Sequence, residues 1–209
     1  MTAAVAGQGG PGYPVGVNFD EGAQINRLWG IPLLGHAARF VVLLPHVIAL
    51  WIIGLVVGLS FMVLWIPILI QGRTPGWATT LIGGSIAWST RVLAYWLLLT
   101  DSYPPFGIGV DHPVVVTIPW RPPINGFWGI PLLGYWARAL VLIPHAIVLW
   151  FLCLGVAFGV LFAWIPVLLN GRMAQWGYDV FGGWLRWTAR VTAYASFQTD
   201  VYPPFRLGD

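Results

Sequence analysis

The chain has 209 residues, of which 58% are apolar and only 8% charged, against about 25% charged residues in an ordinary soluble domain. All ten basic residues are Arg and the formal net charge is +3, too thin an excess for a surface that tracks nucleic-acid phosphates. So little charge excludes a disordered chain and an ordinary soluble domain, and the single cysteine, Cys153, excludes a disulfide scaffold.

In chain order, residues 1–13 are small, flexible and uncharged and read as a disordered tail; they lack the basic start and apolar core of a signal peptide. A short β-like piece follows, Pro14 to Phe19, and its counterpart lies at Pro113 to Ile118. The two are expected to pair as a small ribbon. The spacing between them, 99 residues, runs through the rest of the chain. Trp29-Gly30-Ile31-Pro32-Leu33-Leu34-Gly35 returns letter for letter at Trp128 to Gly134, and aligning 28–109 with 127–208 without a gap gives 39 identities in 82 positions. Such agreement marks an in-chain duplication, with repeats at 14–109 and 113–209.

Phe40 to Ile70 is free of formal charge, as is its counterpart Ala139 to Leu169. A bilayer core of about 30 Å needs about 20 helical residues, so each run is too long for one straight span. Pro45 and Pro144 are expected to divide it into a short interfacial lead-in helix (33–44; 132–143) and a spanning helix (46–69; 145–168). Gln71-Gly72-Arg73 and Asn170-Gly171-Arg172 then form hairpin turns. The second helix of each copy, about 78–100 and 177–199, is less apolar and carries Arg91 or Arg190 near its middle; a surface-lying or re-entrant helix competes with a span there, above all in copy two. The fold class predicted is an all-α membrane protein, a tandem duplication of a helical hairpin with about four transmembrane helices. Two spans per copy imply parallel repeats about a pseudo-two-fold axis along the membrane normal. Arg27, Arg39, Arg121, Arg138 and Arg206 fall on the face of the termini, against Arg73 and Arg172 at the hairpins. The excess predicts a multi-pass protein of the cytoplasmic membrane with both termini in the cytoplasm.

The scarce polar residues form copy-symmetric sets. Gly84, Trp88, Arg91 and Tyr95 share one helical stripe, repeated by Gly183, Trp187, Arg190 and Tyr194. Flanking aromatics can hold a guanidinium by cation–π contact. Such an Arg either binds an anion, a lipid headgroup or a carboxylate in a cavity, or is tied structurally to an acid or to helix-end carbonyls. Asp101 and Asp200 close the second helices and are expected to clamp Arg39 and Arg138. His46 and His145 each follow a proline but have no second ligand at i+3 or i+4, so no metal or haem is assigned to them and no cofactor is expected. Trp29, Trp77, Trp128 and Trp176 suggest an interfacial belt, and Gly54 with Gly58 and Gly155 with Gly159 suggest helix close-packing. No nucleophile elbow, P-loop, dinucleotide fingerprint or paired catalytic carboxylate is present, so the expected role is not enzymatic.

Asn170-Gly171-Arg172, Leu185-Arg186-Trp187, Arg190-Val191-x-Ala193-Tyr194 and Thr199-Asp200-x-Tyr202-Pro203-Pro204-Phe205-Arg206-Leu207, with Ile143-Pro144-His145, together resemble the signature of an uncharacterised prokaryotic membrane-protein family, known as domain of unknown function 4389. Both copies carry the resemblance. Copy one departs from it at Ala87, where copy two has Arg186, and at Gly107, where copy two has Arg206. The resemblance implies a multi-pass membrane location and brings no activity. The functional expectation is a structural or accessory membrane subunit, in contact with the bilayer and with a membrane-protein partner or further copies of itself, and not with nucleic acid. The alternative is a small anion or lipid-headgroup binding or transport protein that uses Arg91 and Arg190.

Overall fold

The long apolar runs fold as helices because nothing within them competes with the backbone ladder except their prolines. In the computed structural model, which describes residues 12–208, α1 runs unbroken from Leu34 to Gln71 with Pro45 and Pro67 inside it. In copy two the same stretch is split, α4 covering Leu133–Val141 and α5 Ile143–Asn170. The expected lead-in helix is thus separate in copy two only. Pro144, at the first turn of α5, is tolerated there because its missing N–H has no partner to lose. Each long helix ends on a glycine in the left-handed conformation, Gly72 (φ 62°) and Gly171 (φ 65°), whose amides bond back to Ile68 and Val167.

The turn leads through one helical turn (α2, Gly76–Ala78) and a π-turn, Thr79–Gly83, into α3, Gly84–Trp96. Copy two repeats this with α6 (Gln175–Gly177), a π-turn at Tyr178–Gly182 and α7 (Gly183–Ala195). Between residues 76 and 96 only Trp77 and Thr80 are exposed. Of the expected second spans, α3 and α7 are 13 residues each, largely covered by protein, and pack on each other. Among the described residues two helices are long and apolar enough to cross a membrane, Leu34–Gln71 and Ile143–Asn170.

The two β-like pieces do pair. Strand β1 (Gly16–Asn18) and β2 (Val115–Thr117) form an antiparallel ribbon in the register Gly16↔Thr117, Val17↔Val116, Asn18↔Val115. Val17 and Val116 are equivalent positions of the two copies, so the pseudo-two-fold axis passes through their pairing. The ribbon packs on α3 and α7 and buries Val15, Val17, Val114 and Ile118 in the main core.

The relation between the copies overturns the parallel arrangement. A 3-10 turn, Arg27–Gly30, precedes α1, and it sits against the end of α5; Gly126–Gly129 precedes α4 and sits against the end of α1. The fit is close: a Cβ on Gly30 would lie 2.5 Å from the Leu168 nitrogen, and one on Gly129 would meet Leu69 N in the same way. Ile25 N–H donates to Gly171 O and Ile124 N–H to Gly72 O, both at 2.8 Å. The Thr74 hydroxyl, before α3, donates to Phe197 O, after α7. The start of each helix therefore meets the end of its counterpart. The repeats are antiparallel, and the axis is perpendicular to the long helices. Sequence alone concealed this because two even-span hairpins in series satisfy topology rules without any contact between them, whereas here each copy's Trp-Gly turn is completed by the other copy.

Residues 1–11 of the expected disordered tail lie outside the described residues. The buried side of α1 is Gly35, Arg39, Leu43, His46, Ser60, Leu64 and Ile68, flanked by half-buried residues such as Leu50, Ile53 and Phe61, and the opposite side is open and apolar, including Leu34, Ile48, Trp51, Leu59, Met62 and Ile70, each more than 60% exposed. Gly54, Gly58 and Gly155 meet nothing within 4 Å; of the four expected packing glycines only Gly159 is covered, by Phe181.

Candidate functional site

Three polar constellations occur in each copy, and the first two are closed by the same local device. The Tyr-Pro-Pro-Phe segment cannot continue the second helix, so it turns back as an extended strap across the first.

The first constellation surrounds Arg39, which is fully buried. Its guanidinium donates to the carbonyls of Tyr95 and Thr100 and pairs with Asp101 at 2.6 Å. The rings of Trp29 and Tyr95 cover it at 5.0 and 4.0 Å. Arg138 repeats this with the carbonyls of Tyr194 and Thr199, with Asp200, and with the rings of Trp128, Tyr194 and Phe197. The aspartates reach further: Asp101 accepts from the amide of Asn26 and Asp200 from that of Asn125, the residues that cap the two 3-10 turns. One buried cation thus ties the long helix, the end of the second helix and the turn that locks onto the other copy. Trp29 and Trp128, expected in an interfacial belt, are lids on these arginines. No spacing rule links a Trp ten residues upstream to its Arg.

The second constellation encloses His46 and His145, both fully buried. Trp88 Nε1 donates to His46 Nδ1 at 3.0 Å, and Trp187 Nε1 to His145 Nδ1 at 2.9 Å. Phe106 and Phe205 stack on the imidazoles with centroids 3.8 Å apart. The Tyr103 hydroxyl donates to Val42 O and that of Tyr202 to Val141 O, pinning the strap beside each proline. The indole bond leaves the proton on Nε2. Among the described residues no group of three or more His, Cys, Asp and Glu comes together. Trp88→Phe removes the indole donor to the buried Nδ1 of His46 and is expected to cost about 1–3 kcal/mol; thermal unfolding of the detergent-solubilised protein checks it, and an unchanged midpoint would show that the bond contributes nothing.

The third constellation is where the copies differ. Trp88 and Tyr95, expected to flank Arg91, serve His46 and Arg39 instead. Arg91 donates through Nε to Val114 O at 3.3 Å and lines a cavity of about 240 Å³ with Thr80, Asp111, His112, Thr117 and Trp120 among its walls. Arg190 donates to Gly208 O at 2.8 Å and to Arg206 O at 3.5 Å, under the ring of Tyr13. The cavity at Arg91 does not include Arg190, so the two arginines do not line a common passage. His112 Nδ1 accepts from the amide of Val114. Burial, with the charge of Arg91, holds its pKa below the usual histidine value. The stability contributed by neutral His112 is complete above about pH 6.5, the value in the unfolded chain, and is lost as pH falls through the lower folded value. His112→Gln is therefore expected to flatten the acid limb of the melting temperature against pH, and an identical limb in both proteins would rule this out.

The chain is thus a duplicated, mostly helical protein in which two apolar helices could span a membrane. The sequence profile described as Domain of unknown function (DUF4389) matches it twice, over residues 34–107 and 133–206, and the chain belongs to that family. No curated protein and no solved structure matches it.

Proposed function

We propose that the protein is a membrane-embedded, non-enzymatic structural or accessory subunit, with α1 and α5 immersed along one leaflet and the pseudo-two-fold axis along the bilayer normal. The observation that carries this reading is the unbroken apolar exposure of α1 from Leu34 to Ile70. A 38-residue helix is about 57 Å long, and fitting it across about 30 Å of hydrocarbon would need a tilt of roughly 58°, beyond the 0–40° range of spanning helices. Spanning would also place the ribbon, which lies on the axis halfway along the helices, at mid-bilayer, together with the exposed Asp20, Glu21 and Asp111 beside it. Open strand edges and charged loops are not stable against lipid. With the axis along the normal, these groups face water, and the linker and both hairpin turns share one side. The Arg excess favours the cytoplasmic side, whose leaflet is anionic.

The accessory role is supported by the uncovered small-residue surface of Gly54, Gly58 and Gly155 and by the use of the fully buried Arg39 and Arg138 in holding the fold. Purification in mild detergent is expected to yield a stoichiometric membrane-protein partner or a defined homo-oligomer. A monodisperse monomer in every detergent and nanodisc tried would count against it.

A further inference from the structure

The duplication supplies an internal comparison for the cavity at Arg91. In copy two the equivalent space is filled by the chain itself. Arg186 extends through it, donating from Nε to Val17 O at 3.0 Å and from NH2 to Glu21 at 3.5 Å, with the Phe19 ring 5.0 Å away. Copy one has Ala87 in place of Arg186, Thr80 in place of Asp179 and Trp120 in place of Glu21. A guanidinium and two acids are thereby exchanged for a methyl, a hydroxyl and an indole, and the hollow remains.

We propose that this hollow is a binding site for one small anionic group, a carboxylate or a phosphate, held by Arg91. Arg91 is 8% exposed, lines the cavity, and makes its one hydrogen bond to the described chain through Nε, which leaves its terminal nitrogens for another acceptor. Burial of Arg91 disfavours its charge and the field of Asp111 offsets part of that; a bidentate anion in the cavity is the group that fits a guanidinium fork. The hydroxyls of Thr80 and Thr117 add neutral donors, while Ile108 and Trp120 give an apolar wall. Asp111 is the one acid in the lining; it is exposed and forms no ion pair with Arg91 within 4 Å among the described residues. About 240 Å³ is small for a drug-sized ligand and ample for a carboxylate or phosphate on a short apolar body. The inference is independent of how the long helices lie in the bilayer.

The test is equilibrium binding of radiolabelled acetate and inorganic phosphate to the detergent-purified protein, with flotation on vesicles of phosphatidylglycerol or of phosphatidylcholine alone. Saturable binding of a free anion identifies a soluble ligand; binding restricted to phosphatidylglycerol vesicles identifies a headgroup phosphate. Either is expected to weaken at least tenfold in Arg91→Gln. Ala87→Arg rebuilds the copy-two arrangement in copy one and is expected to abolish binding with the melting temperature kept or raised, so the test survives if Arg91→Gln does not fold. No saturable binding in any arm, or binding unchanged in folded Ala87→Arg, overturns the proposal.

Discussion

Arg39→Met and Arg138→Met are each expected to lose about 3–5 kcal/mol, enough to remove most of the 5–15 kcal/mol that holds a typical domain folded. The cause is what each arginine leaves behind. Without Arg39, the buried carbonyls of Tyr95 and Thr100 lose their donor and Asp101 loses its partner. The partner substitution separates charge from packing. Asp101 is one-third exposed, and in Asp101→Asn the guanidinium still has two carbonyls and two ring faces. That variant is expected to cost about 1–3 kcal/mol. Fluorescence-detected size exclusion after heating gives both values; equal losses for Arg39→Met and Asp101→Asn would mean that the ion pair, not the buried donor set, dominates.

The second large effect falls on the seam between the copies. Gly30→Ala and Gly129→Ala place a methyl against the backbone nitrogens of Leu168 and Leu69. Backbone cannot swing aside as a side chain can, so the 3-10 turn must lift from the helix end it covers. The expected cost is at least the about 1–3 kcal/mol of ordinary overpacking, and the double variant is expected to fall apart at the seam, seen as rapid proteolysis between residues 107 and 133. Gly54→Ala and Gly155→Ala, inside helices with nothing within 4 Å, serve as controls and are expected to leave stability unchanged or raise it by up to about 1 kcal/mol. If seam and control glycines respond alike, the copies do not interlock as described.

Much of this was legible in the sequence because duplication leaves few explanations for a retained Trp, Arg or His. The offset of 99 predicts the ribbon and the pairing of Arg39 with Asp101, since both follow from chain direction and charge. It could not reveal the antiparallel relation, because that depends on Gly30 and Gly129, two small residues whose function is to let a foreign backbone approach. Nor could it reveal which aromatic serves which cation: Tyr95 lies on the same helical stripe as Arg91, yet the strap through Tyr103 and Phe106 draws the aromatics toward His46 and Arg39. The cavity was visible only as an inequality, Ala87 against Arg186, whose meaning needed the neighbouring Val17 and Glu21.

The central expectation is that the antiparallel repeats present both hairpin turns and the linker to one side of a membrane. It is tested most directly by impermeant thiol labelling of Arg73→Cys, Asp111→Cys and Arg172→Cys, each exposed position taken singly in a Cys153→Ala background. All three are expected to be protected in intact cells and modified together in inverted vesicles. Modification of Arg73→Cys and Arg172→Cys from opposite sides, or of both from the side opposite Asp111→Cys, would contradict the account.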